Sequence, residues 1–238
     1  MIAGRPEPDS YLQPDQPHAG LATSYLEALL QADHRSAAQL VLNAAAGGAG
    51  VKDLYLHVFQ PVQYEVGRLW ELNRATVAQE HYCTAATQMI MARFQDAIFG
   101  TPRLQRFAVV ACVDGELHAI GSRMVADFLE MEGWDTHYLG ACMPPAEIAE
   151  AARQHRADLV CLSCSMSGHV DVVARAVRLI REIGESGRPG PRILVGGIPF
   201  NREPGLWRQV GADGWAPDAQ QAVELSNHLA KAGSLAGG

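Results

Sequence analysis

No stretch of the chain approaches the roughly 20 consecutive apolar residues of a bilayer-spanning helix, and no basic segment followed by an apolar one opens it. The expectation is a cytoplasmic protein without a membrane partner. Basic residues are few: 19 Lys and Arg stand against 26 Asp and Glu, a formal net charge of −7. With no long Lys/Arg run, a nucleic-acid backbone finds little general attraction, so direct DNA binding is not expected. Cysteine is scarce and odd in number, at Cys83, Cys112, Cys142, Cys161 and Cys164. Most lie within apolar runs, which suits reduced, buried thiols better than a disulfide framework. Cys161-x-x-Cys164 has zinc-like spacing but no second pair. Gly47-Gly48-Ala49-Gly50 is not followed by Lys-Ser/Thr, so it reads as a helix-ending loop and not as a phosphate loop.

Hydrophobic residues, by contrast, make up 48% of the 238 positions, enough to bury one large or two small cores. Residues 1–20 are rich in Pro, Asp and Gln and have little to bury, so they are expected to form a flexible arm. From Leu21 to Phe99 the apolar spacing is helical, with breaks near Asp33, Ala46-Gly47-Gly48, Asn73 and Gly100-Thr101-Pro102. About four helices follow, forming a bundle over 21–101, with Pro61 expected to bend the third. After Pro102 the runs FAVVACV (107–113), WDTHYL (134–139), DLVCLSC (158–164) and RILVGG (192–197) alternate with helical stretches, and GADGWAP (211–217) adds a weaker fifth unit. Five βα repeats predict a flavodoxin-like, Rossmann-like five-stranded parallel sheet over 105–232, followed by a flexible tail at 233–238.

Between the first run and the next helix lies Val113-Asp114-Gly115-Glu116-Leu117-His118-Ala119-Ile120-Gly121. The carboxyl end of a strand is where a doubly wound fold holds its ligand. Glu116 can take a hydrogen bond from one imidazole nitrogen of His118 and leave the other oriented toward a metal. Gly121 lets a bulky group pass close to the backbone. Ser163 and Ser165 after the third strand and Gly196-Gly197 after the fourth collect hydroxyls and bare backbone at the same edge.

Glu116-x-His118-x-x-Gly121, then Ser163, then Gly196-Gly197 resembles the cobalamin-binding domain family, whose signature is Asp/Glu-x-His-x-x-Gly, Ser-x-Leu and Gly-Gly. The resemblance implies cobalamin bound with its nucleotide tail withdrawn into the sheet and His118 as the lower cobalt ligand, supported by Glu116. Ser163 would meet the tail, and Gly121, Gly196 and Gly197 would make room for it. Ser165 stands where the family has Leu, which implies a more polar tail pocket.

In the helical half, Thr76-Val77-Ala78-Gln79 spells a capping box, and Glu80-His81 fall in the turn that follows. Trp70, nine residues, then Glu80-His81 resembles the cap of light-responsive cobalamin photoreceptors, where these side chains lie over the upper ligand. Those relatives carry an N-terminal DNA-binding domain and a His after the cap Trp; here an arm precedes the bundle and Glu71 follows Trp70. The resemblance implies an adenosylcobalamin-dependent light sensor, dimeric, non-catalytic, and signalling to a separate protein effector or repressor. Some stand-alone relatives also hold a bilin, and Arg68, Arg74 and Arg93 are the candidates for the propionates of biliverdin. The alternative is a corrinoid methyl-carrier protein of a methyltransferase system, which shares both the cap and the histidine.

Overall fold

The computed structural model describes residues 10–184, 190–203 and 205–235, so the expectations of a flexible arm and tail fall partly outside them, at 1–9 and 236–238. The chain divides into two compact units between Ala97 and Ile98.

The first unit is helical: α1 (Ala19–Leu30), α2 (His34–Ala46), α3 (Val51–Leu54), α4 (Gln60–Glu71) and α5 (Val77–Met91). Its core gathers Tyr25, Leu29, Val41, Leu54, Tyr55, Val58, Phe59, Val62, Cys83 and Ile90. Pro61 falls just after an irregular turn. Between α3 and α4 the chain widens into a π-helical turn over Tyr55–Phe59, which places Pro61 in the first turn of α4. A proline there lacks only a donor that the helix start leaves unused. The arm is anchored at Tyr11, whose N–H donates to Glu65 Oε2 (2.9 Å) and whose ring lies 5.3 Å from that of Tyr64.

The second unit begins with the short α6 (Gln95–Phe99), whose first residues close the helical unit, and continues as β1 (Phe107–Val113), α7 (Ile120–Met131), β2 (Asp135–Met143), α8 (Pro145–Gln154), β3 (Leu159–Ser163), α9 (Val170–Arg181), β4 (Arg192–Gly196), α10 (Ile198–Arg202), α11 (Leu206–Gln209), β5 (Gly214–Ala216) and α12 (Ala219–Leu235). All four strand pairings are parallel, in the order β2-β1-β3-β4-β5. β1 is a continuous apolar run because helices cover both its faces. Val109, Ala111 and Val113 point into a core shared with Ile148 and Ala152 of α8 and Val173, Val177 and Ile180 of α9. The alternate residues face α7, as the 3.0 Å contact between Cys112 Sγ and Ser122 Oγ shows.

In this strand order β2 lies on one side of β1 and β3 on the other, so the connections leaving β1 and β3 diverge to opposite faces. A crevice opens at their carboxyl ends. His118 and Ser165 stand on those two connections. His137 and His155 belong elsewhere: the His155 ring stacks on Phe107, the first residue of β1, at 4.7 Å and 5°. Among the described residues no helix is long and apolar enough to cross a membrane.

Candidate functional site

Glu116 is fully buried, yet both its oxygens are surrounded by donors. Oε1 accepts from the His118 N–H (3.0 Å) and lies 2.5 Å from His118 Nδ1. Oε2 accepts from the N–H groups of Ser165 (2.7 Å) and Met166 (3.1 Å) and lies 3.3 Å from His169 Nδ1. Its main-chain carbonyl accepts from the Cys142 N–H at the end of β2 (3.0 Å). One residue therefore ties together the connections that leave β1 and β3 and the end of β2.

Burial alone would raise the carboxyl pKa of Glu116. The bond from the His118 side chain and those from the His118 and Ser165 backbones outweigh it and hold the pKa down to about 2. The group is an anion at neutral pH. An anion at Nδ1 places the proton there and turns the lone pair to Nε2, the nitrogen a metal takes. The His118 side chain is 44% exposed, so a ligand can reach it. On either side of the crevice Leu117 and Met166 are exposed at 64% and 46%, apolar groups set beside a polar one.

The other residues read from the sequence are placed as follows. Ser163 ends β3, in register with Cys112 on one side and Gly196 on the other. Ser165 joins the cluster through its backbone N–H to Glu116. Gly121 lies in the first turn of α7, where an added Cβ would meet nothing within 4 Å. Gly197 has φ of +108°, and a Cβ there would lie 2.0 Å from the Cys164 carbonyl oxygen, so its backbone fixes the loop after β4 against the loop after β3. Burial pushes the thiol of Cys112 up to about 11 and those of Cys161 and Cys164 up to about 12, which keeps them protonated at neutral pH.

Trp70, Glu80 and His81 lie in the helical unit, at the end of the α4–α5 hairpin where the helices are joined. The capping box forms as the sequence predicts, with the Thr76 N–H on Gln79 Oε1 (3.0 Å) and the Gln79 N–H on Thr76 Oγ1 (3.2 Å). Glu80 Oε2 lies 2.6 Å from His81 Nδ1, and Thr84 Oγ1 approaches both Glu80 Oε1 (3.2 Å) and Gln63 Oε1 (3.0 Å). From Gln63 the chain of polar contacts runs to Thr87 (2.8 Å) and on to the buried Tyr25 hydroxyl (2.8 Å). Glu80 is thus linked by side chains to the bundle core. Arg68, one of the arginines considered for a bilin propionate, instead holds Glu65 through both Nε (2.9 Å) and Nη2 (2.6 Å).

Sequence reading missed His169. It stands 53 positions from Glu116, outside every recognised motif, and only the order of the strands brings it onto the same carboxylate.

Residues 107–224 match a family model described as a B12 binding domain, and residues 21–95 match a second model of the same description. The chain is a cobalamin-binding protein with a helical N-terminal cap and a Rossmann-like B12-binding domain. Among curated proteins it is similar to dimethylamine corrinoid protein 3 of Methanosarcina acetivorans, 27% identical over 69% of this chain and 76% of that one. Dimethylamine corrinoid protein 2 of the same organism is 30% identical over 49% of this chain, which spans about half of that relative (52%). The monomethylamine corrinoid protein of Methanosarcina barkeri superposes with a TM-score of 0.73 at 20% identity, covering 90% of this chain and all of that one, and so shares the fold. These relatives are named for corrinoids and methylated amines.

Proposed function

We propose that this protein is a corrinoid methyl carrier, in which His118 would ligate the cobalt of a corrinoid that carries a methyl group between partner methyltransferases. The observation that carries the proposal is the carboxylate-fixed imidazole of His118, exposed between Leu117 and Met166 at the sheet's switch point. The donor set fits the cofactor: a corrinoid brings most of the metal's ligands with it, so the protein would need to offer one imidazole, that of His118, and an apolar rim of Leu117 and Met166. When bound, the corrinoid supplies a cobalt centre that accepts and gives up a methyl group.

The protein's residues then have defined tasks. Glu116 keeps the His118 proton on Nδ1 and the ring at a fixed angle. Ser163, Gly121, Gly196 and Gly197 border the path we assign to the nucleotide tail, and Ser165 makes its mouth polar. The names of the methylamine corrinoid relatives support a methyl cargo. In this reading the chain carries the group and the partner performs the catalysis.

A second reading keeps one specific observation in its favour. Trp70 and the Glu80–His81 pair at one end of the α4–α5 hairpin reproduce the cap pattern of cobalamin photoreceptors, where an adenosyl group fills the upper position. A sensor would hold adenosylcobalamin and release a partner, or change its own assembly, in light. Biliverdin as a second chromophore has lost one of its candidate anchors, since Arg68 is engaged with Glu65.

One set of spectra tests both. Reconstituted with methylcobalamin, the wild type is expected to show the absorption of tail-displaced, imidazole-ligated cobalt, and His118→Ala to lose the imidazole signature. Retention of that signature in the variant would remove His118 from the cobalt. With adenosylcobalamin, green light is expected to leave the mass in size-exclusion chromatography unchanged for a carrier. A light-driven change in assembly would establish the sensor in its place.

A further inference from the structure

We propose that Tyr138 is a positioning residue for His118: its hydroxyl ties the start of α7 to β2 and so fixes where the loop after β1 presents the imidazole. The inference rests on the reading of His118 as the cobalt ligand and adds a residue on β2, outside the Glu-x-His-x-x-Gly motif.

The residues between β1 and α7 form neither helix nor strand, and α7 starts at Ile120 without a side-chain cap. Such a helix start frays unless another contact fixes it. Here the contacts gather on one atom, the carbonyl oxygen of Ala119, the residue after His118. It accepts from the Arg123 N–H (3.0 Å), the Ser122 hydroxyl (2.8 Å) and the Tyr138 hydroxyl (3.0 Å). A carbonyl oxygen has two lone pairs, and the first two donors, both inside α7, suffice to fill them. Tyr138 adds a third donor from another element. What it contributes is attachment to the sheet, since the acceptor is satisfied without it.

The build of β2 suits this task. Tyr138 pairs with Val110 of β1, and the next pairing joins Ala111 to Gly140, so Leu139 is an extra residue and β2 bulges there. A bulge bends and twists a strand and re-aims the side chains beside it. The Tyr138 ring lies beside Arg123 of α7, whose guanidinium carbon is 5.9 Å from the ring centroid and whose Nε donates to Asp127 Oδ1 (2.7 Å). The ring is thus seated independently of its hydroxyl. Burial raises the Tyr138 pKa above its ordinary value, which keeps the hydroxyl a donor.

His118 is therefore held from both sides. Glu116, two residues before it, takes the ring at Nδ1 and the backbone at N–H. Tyr138 takes the carbonyl of the residue after it. Cutting the second hold lets the imidazole pivot about the first. That freedom has to be given up again on binding, which lowers affinity without removing any contact to the ligand.

The full chain is compared as wild type, Tyr138→Phe and Ser122→Ala. The phenylalanine keeps the ring and cuts the tie to β2, whereas the alanine removes a donor from the same carbonyl and leaves the tie intact. In the cofactor-free protein, amide hydrogen exchange followed by NMR is expected to run about 5-fold faster at His118 in Tyr138→Phe, the equivalent of one net hydrogen bond, and at the wild-type rate in Ser122→Ala. The melting midpoint of Tyr138→Phe is expected within about 2 °C of wild type, because the Ala119 carbonyl keeps its two donors from α7. Titrated with methylcobalamin, Tyr138→Phe is expected to bind about 5-fold more weakly than the other two proteins. Exchange at His118 that is unchanged in Tyr138→Phe, or raised equally in both variants, would overturn the proposal, and so would an unchanged affinity. A larger fall in the melting midpoint would overturn it as well, since the hydroxyl would then hold the sheet domain and not the loop. If His118→Ala leaves the loaded spectrum unchanged, the ligand assignment fails, while the cofactor-free exchange still decides whether Tyr138 holds the loop.

Discussion

Glu116→Ala is expected to lower the thermal midpoint of the cofactor-free protein by about 8–16 °C, corresponding to a loss of about 4 kcal/mol. The substitution removes a buried carboxylate and leaves the N–H groups of His118, Ser165 and Met166 without their acceptor. Calorimetry or a circular-dichroism melt measures the effect. A fall of less than about 3 °C would mean that the loops after β1 and β3 are held by something other than this side chain. In the loaded protein the same change frees the His118 ring to choose its tautomer, with a cost of about 10–100-fold in cobalamin affinity, readable by equilibrium titration.

The same carboxyl makes stability depend on acid in a defined direction. Its pKa is about 2 when folded, against an ordinary value of 4.5. The stabilisation is therefore fully present above pH 4.5 and is lost as the pH falls from there toward 2. The difference in unfolding free energy between wild type and Glu116→Gln is expected to be constant at neutral pH and to shrink by about 3 kcal/mol across that window. A difference that stays constant down to pH 2 would contradict the assigned network.

Gly197→Ala is the second large effect. At φ of +108° a Cβ is disfavoured, and here it would lie 2.0 Å from the Cys164 carbonyl oxygen, which is backbone and cannot swing aside. The loop after β4 has to separate from the loop after β3, at a cost of at least about 3 kcal/mol and a drop in the melting midpoint of about 6–12 °C. Gly121→Ala provides the contrast. It meets open space within a helical turn, so it is expected to leave the cofactor-free melt nearly unchanged and to report only on cofactor binding. If the two alanines melt alike, the steric account of Gly197 is wrong.

This pair shows what a sequence conveys and what it conceals. Both glycines were singled out from the sequence, Gly121 by the Glu-x-His-x-x-Gly motif and Gly197 by the Gly-Gly pair after the fourth apolar run. Their reasons differ. Gly197 is required by the backbone of Cys164, 33 positions away, a contact that no local pattern announces. β1 was legible residue for residue, since a seven-residue apolar run covered on both faces has no other stable use. The Glu116–His118 pair was legible because its partners are two positions apart. His169 was not, because its meeting with Glu116 is made by strand order and not by spacing. Pro61 was legible, but the π turn at Tyr55–Phe59 just before it was not, because no local sequence pattern spells a widened turn. The cap pattern at Trp70 and Glu80–His81 was read as deciding the use of the cofactor, whereas the methylamine corrinoid relatives support a carrier.

The main-chain carbonyl of Glu116 holds Cys142 at the end of β2, while its side chain holds Ser165 and Met166 beyond β3. The imidazole above it therefore does not rest on a separate rigid floor. Under the proposed ligation, a pull on the His118 ring would pass through this one residue to β2 and to the loop after β3 at once, like a keystone loaded from above.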